Sequence, residues 1–90
     1  MVERASVVFR GEVQGVGFRF RTIRIAEKYT ITGCVKNLTD GTVQLIAEGD
    51  RPEVTAFLSN VEQEMSFFIR QRTTDWQPAT GEFQGFGIGF

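Results

Sequence analysis

The sequence lacks histidine altogether and has one cysteine, Cys34. Without histidine there is no Ser-His-Asp triad, no Cys-His pair and no imidazole zinc site. A single cysteine makes neither an internal disulfide nor a thiolate cluster, which excludes a disulfide-stapled secreted scaffold. The opening MVERASVVFRG carries charge but no h-region of signal-peptide length. No apolar run approaches the ~18–20 residues of a membrane span. No Pro/Ser linker, low-complexity tract or repeat divides the chain. The expectation is one soluble cytoplasmic domain across residues 1–90, acting as a monomer.

What is present is ordinary for a folded protein: 41% hydrophobic and 23% charged residues in a chain of 90. A domain this small removes only about 60–65% of its unfolded surface from water, so the core is modest. The formal charge of -1 hides an asymmetry. Residues 1–30 carry Arg4, Arg10, Arg19, Arg21, Arg24 and Lys28 against Glu3, Glu12 and Glu27. Residues 31–66 are correspondingly acidic. A basic first third suits a small anion or a nucleic acid backbone. Most such charges are simply solvated surface.

Ala5–Arg10 reads as a strand with Val7 and Phe9 on one face. Gly11–Gly17 is a glycine-rich loop. From Phe18 the period becomes helical, through Phe18, Thr22, Ile25, Ala26 and Tyr29. Gly33–Leu38 is a second strand, Thr39-Asp40-Gly41 a tight turn, and Val43, Leu45 and Ala47 the inward face of a third. Thr42, Gln44 and Glu48 alternate outward. Asp50 with Glu53 suggests a capping box, with Pro52 in the first turn of a second helix. Val54, Phe57, Leu58, Val61 and Met65 form its apolar stripe. Phe68 to Trp76 is a fourth strand, and residues 77–81 turn the chain. Phe86, Ile88 and Phe90 alternate in a last short one. The order predicts an α+β, ferredoxin-like βαββαβ sandwich: an antiparallel sheet, two helices on one face, and a short extra strand. That fold hosts many functions, so the site must decide.

Two segments carry chemistry. The first is Gly11-Glu12-Val13-Gln14-Gly15-Val16-Gly17-Phe18-Arg19, between a strand and a helix start. Backbone N–H groups at that junction lack helical partners, and the helix dipole adds partial positive charge. An anion is the natural guest. Glycines at 15 and 17 let the loop curl into a nest of amides. Arg19 in the first helical turn opposes the dipole, and a bound anion would reconcile the two. Neither GxGxxG nor GxxxxGK[ST] is present. The second segment is Gly33-Cys34-Val35-Lys36-Asn37-Leu38-Thr39-Asp40-Gly41. Strand parity turns Lys36 and Cys34 to the open face, and Val35 and Asn37 to the helices. Asn37 either caps the local turn or holds a water near the anion loop.

Together these segments closely resemble the acylphosphatases, hydrolases of the carboxyl–phosphate bond. The ending Gly81-Glu82-Phe83-Gln84-Gly85-Phe86-x-Ile88 is similar too, so the resemblance covers nearly the whole chain. It implies a phosphate cradled by the backbone of Gln14, Gly15, Val16, Gly17 and Phe18 and held by Arg19. Asn37 would orient the attacking water. No metal and no cofactor are implied. The partners would be small acyl phosphates and inorganic phosphate, with no nucleic acid and no membrane. The chain departs from the family pattern at Cys34, where a large aromatic is common, and at Thr30, where a glycine commonly ends the first helix. Arg72 and Thr74 stand where the fourth strand usually carries aliphatics.

The chemistry agrees with the resemblance. Phosphoryl transfer asks mainly for positioning and charge stabilisation. An acyl phosphate expels a carboxylate whose conjugate acid has a pKa of roughly 4–5, so no strong general acid is needed. An arginine fork can contact two phosphate oxygens. One rival is a maturation-type domain binding carbamoyl phosphate within a larger enzyme. Another is an RNA-binding module of the same topology. RNA-recognition sheets present stacking aromatics, and Thr42–Glu48 has none. Cys34 lacks a base partner and reads as inert. Trp76, Phe67 and Phe68 read as core or rim aromatics.

Overall fold

Ala5, Val7 and Phe9 are fully buried while Ser6 and Val8 between them are not. This period-2 pattern is that of a strand with one face on a core. The computed structural model describes residues 1–89. Strand β1 spans Val2–Gly11, β2 Thr32–Asn37, β3 Val43–Asp50, β4 Ile69–Pro78 and β5 Phe86–Ile88. Their order across one sheet is β4-β1-β3-β2-β5. The first four pair antiparallel, with Ala5 opposite Ala47 and Val35 opposite Leu45. β5 runs parallel to β2, pairing Gly33 with Phe86 and Val35 with Ile88. The sheet is therefore mixed rather than purely antiparallel. Phe90 of the expected last strand lies outside the described residues.

Helix α1, Phe18–Ala26, buries Phe18, Thr22, Ile25 and Ala26. Helix α2, Arg51–Glu64, buries Val54, Phe57, Leu58 and Val61, and Met65 caps its end. Both stripes meet the sheet face that carries Ala5, Val7, Phe9, Val35, Val43, Leu45 and Ala47. Phe57 joins the layers: its ring lies 5.8 Å from that of Tyr29 and 5.4 Å from that of Phe86. Truncating such an aromatic typically costs about 3–5 kcal/mol.

Several local expectations change. Asp50 occupies the N-cap position of α2 but makes no capping bond. Its carboxylate accepts from the amino-terminal ammonium at 3.2 Å instead. Glu53 does not reach back to the cap either; it accepts from the Thr30 N–H at 2.9 Å. The capping box is replaced by a tie between the α1–β2 link and α2. Gln77 and Pro78, expected in a turn, extend β4 opposite Arg4 and Glu3. β4 is an edge strand, where proline is tolerated. Arg72 faces the helices and pairs with Glu62 of α2 at 2.7 Å. Trp76 and Phe68 pack against the core, whereas Phe67 is 91% exposed. Cys34 is half-buried, and burial pushes its thiol up from the usual value.

Candidate active site

The loop between β1 and α1 is anchored at its entry and its middle. The Glu12 N–H donates to the Phe68 carbonyl at 2.9 Å, and Val13 is buried. Gly15 and Gly17 then take φ of 79° and 78°. That left-handed conformation costs a side-chain-bearing residue roughly 1–2 kcal/mol, so glycine is the natural occupant. Gly17 is the N-cap of α1, and its carbonyl accepts the Arg21 N–H at 2.9 Å. None of the amides of residues 14–20 donates to a protein acceptor among the described residues. The first turn of α1 contains no acid. Arg19 is half-buried there and pairs with no carboxylate among the described residues.

Asn37 ends β2, paired with Val43 across the hairpin. The turn beyond it is closed without Asn37. The Leu38 N–H donates to the Thr42 carbonyl at 2.9 Å. Asp40 accepts from the Thr42 N–H at 3.0 Å and its hydroxyl at 2.6 Å. Those bonds from Thr42, the hydroxyl first, hold the Asp40 carboxyl below the ordinary carboxylate value. Asp40 therefore does the turn-capping that the sequence also allows Asn37, and the Asn37 amide is left without a side-chain partner among the described residues.

Loop and hairpin converge. A cavity of about 150 Å³ is lined by Gly15, Gly17, Phe18, Arg19, Asn37 and Ile88, together with Val13 and Phe20. At ~30 Å³ per water this is room for about five waters, enough for a phosphate-sized anion. Gln14 and Val16 do not line it. The Gln14 side chain instead donates to the carbonyls of Leu38 at 2.7 Å and Thr42 at 2.9 Å. It bridges the arginine-bearing loop to the hairpin that carries Asn37. Val16 lines a neighbouring groove along α1.

Two contributors escape sequence reasoning. Ile88 reaches the cavity through the parallel pairing of β5, which alternation does not reveal. β5 in turn follows a link clasped by Glu48. That carboxylate accepts from the Arg4 guanidinium at 2.7 Å and from the N–H groups of Thr80 and Gly81, each at 2.9 Å. Arg4 also pairs with Glu82, and its guanidinium lies 5.2 Å from the Phe83 ring centroid. Glu48 lies on the open sheet face, as parity requires, yet is buried beneath this link. Among the described residues no cluster of three His, Cys, Asp or Glu side chains offers a metal site. Among the described residues no helix is long and apolar enough to cross a membrane.

The fold and cavity define a class: a ferredoxin-like α+β domain with an amide-rich, arginine-flanked cavity at a strand-to-helix loop. Comparison with known proteins narrows it. Residues 5–88 match the family model described as Acylphosphatase. An acylphosphatase of Pelotomaculum thermopropionicum is 42% identical over 88 residues, 97% of this chain and 96% of that protein. The crystal structure of acylphosphatase from Bacillus subtilis superposes with a TM-score of 0.86 at 30% identity, over the whole of both chains. HypF of T. kodakarensis also matches 97% of this chain, with a TM-score of 0.83 and 27% identity, but over only 12% of its own length. The chain belongs to the acylphosphatase family, and it is a hydrolase.

Proposed function

We propose that the protein hydrolyses the carboxyl–phosphate bond of small acyl phosphates. The phosphate sits against the loop amides of Gly15, Gly17 and Phe18, which line the cavity, and the Arg19 guanidinium, and Asn37 orients the water. The observation that carries this reading is the convergence of Arg19, Asn37 and both left-handed glycines on one cavity.

The side-chain carbonyl of Asn37 accepts a hydrogen bond from the water and points its lone pair at phosphorus. The new P–O bond forms as the acyl C–O–P linkage breaks on the phosphorus side. The departing carboxylate takes the electron pair. The water's proton passes to a phosphate oxygen of the substrate, giving inorganic phosphate. Charge on the transferring group is met by Arg19 and the loop amides. Each donor in an oxyanion-type site is typically worth about 3–4 kcal/mol. The leaving group is a stable anion, so no acid is required of the protein.

The test is hydrolysis of benzoyl phosphate by wild type, Arg19→Ala and Asn37→Ala, with and without EDTA. Wild type should keep its rate in EDTA, and each variant should lose at least 10²- to 10³-fold while remaining folded. Inorganic phosphate should inhibit competitively. Full activity in either folded variant would overturn the assignment.

A further inference from the structure

The phosphate cavity does not stand alone. A groove of about 550 Å³ runs along α1, and Gly17 and Phe20 line both spaces, so the two are neighbours across those residues. Its walls include Val16, Phe20, Arg21, Arg24 and Lys28. Phe20 is 66% exposed, and the Arg24 guanidinium lies 5.9 Å from its ring centroid. Arg21 is occupied by Glu64 at 3.1 Å. Arg24 and Lys28 pair with no carboxylate among the described residues, although Glu27 also borders the groove. Phe20 and Arg24 are one helical turn apart, about 6 Å along the axis. Lys28 follows in the turn that ends the helix, its N–H donating to the Ile25 carbonyl at 3.0 Å.

The reaction geometry gives this groove a direction. In-line displacement puts the leaving oxygen opposite the attacking water. Asn37 and Ile88 line the cavity but not the groove. If Asn37 holds the water, attack from the β2 side leaves the α1 side to the departing acyl group.

We infer that the α1 groove is an acyl-end subsite selecting acyl phosphates whose acyl chain ends in a second carboxylate. The chain's methylenes lie on the Phe20 ring, and the distal carboxylate lies between Arg24 and Lys28. The inference rests on the reading of residues 14–19 as the phosphate site.

The experiment compares kcat/KM for succinyl phosphate and acetyl phosphate at low ionic strength. Wild type should prefer succinyl phosphate. The preference should fall about tenfold in the Arg24→Gln/Lys28→Gln double variant, as expected for two partly exposed ion contacts. It should survive in Arg24→Lys and shrink with added salt. Acetyl phosphate is the internal control for folding and for the phosphate site. No preference in wild type, or an unchanged ratio in the double variant with acetyl phosphate still hydrolysed, overturns the subsite alone. Failure of wild type to hydrolyse either substrate overturns the phosphate-site reading with it.

Discussion

Glu48 accepts two hydrogen bonds from Thr80, one from the backbone N–H at 2.9 Å and one from the hydroxyl at 3.1 Å. Burial alone would push the Glu48 carboxyl up. The N–H groups of Thr80 and Gly81 and the Arg4 guanidinium outweigh it and hold the group at about 2, against an ordinary 4.5. A folded-state value below the unfolded one stabilises the fold above the unfolded value. That contribution is lost as pH falls from about 5 toward 2. The difference corresponds to about 3 kcal/mol. Urea midpoints across this window should fall steeply for wild type and less steeply for Glu48→Gln. Equal slopes would remove Glu48 from the acid transition.

The clasp also marks where the sequence stops speaking. Alternation in β3 says that Glu48 faces away from the helices, and it does. It cannot say that a link more than thirty residues later folds over it. The same limit hides Ile88, whose alternation predicts a strand but not a parallel partner. Arg19 and Asn37 are legible as candidates because each sits in a local pattern: a glycine loop before a helix, a strand before a tight turn. The Asp50–Glu53 capping box does not form, because Glu53 accepts instead from the Thr30 N–H of the α1–β2 link. Local spacing fixes local options, and long-range contacts choose among them.

Gln14 connects the two halves of the site through its side chain. Replacing it with Met keeps the bulk and deletes both donors, leaving the Leu38 and Thr42 carbonyls without that partner. Leaving such groups short typically costs about 1–3 kcal/mol. The hairpin end would then shift relative to the loop, so kcat should drop about tenfold while the inhibition constant for phosphate changes little. Catalytic sites are that sensitive to small displacements. Steady-state kinetics with phosphate inhibition checks the split. A large loss of phosphate affinity with kcat retained would instead make Gln14 a direct ligand.

Phosphate binding should register as stability. A ligand at 100 times its Kd raises folding free energy by about 2.7 kcal/mol. Titrating phosphate into wild type should therefore raise Tm progressively, against chloride at matched ionic strength. Arg19→Ala should show little of this rise. Charge at the loop depends on Arg19 because no other arginine lines the cavity among the described residues. An equal rise in both proteins would put the anion elsewhere.

Thr74 bears the least favourable hydroxyl among the described residues of the sheet. It lies opposite Val7 on the helix-facing side of β4, and its Oγ1 is buried with no hydrogen-bond partner. A buried hydroxyl without a partner carries its desolvation cost uncompensated. Valine has the same shape without the hydroxyl, and it suits a strand better. Thr74→Val should therefore stabilise the protein by about 1 kcal/mol, raising Tm by about 4–8 °C. Thr74→Ser keeps the hydroxyl and loses the methyl, so it should lower Tm. Thermal unfolding of the three proteins at neutral pH checks the order. If valine destabilises, the hydroxyl has a partner, such as a bound water, that its surroundings in the chain do not supply.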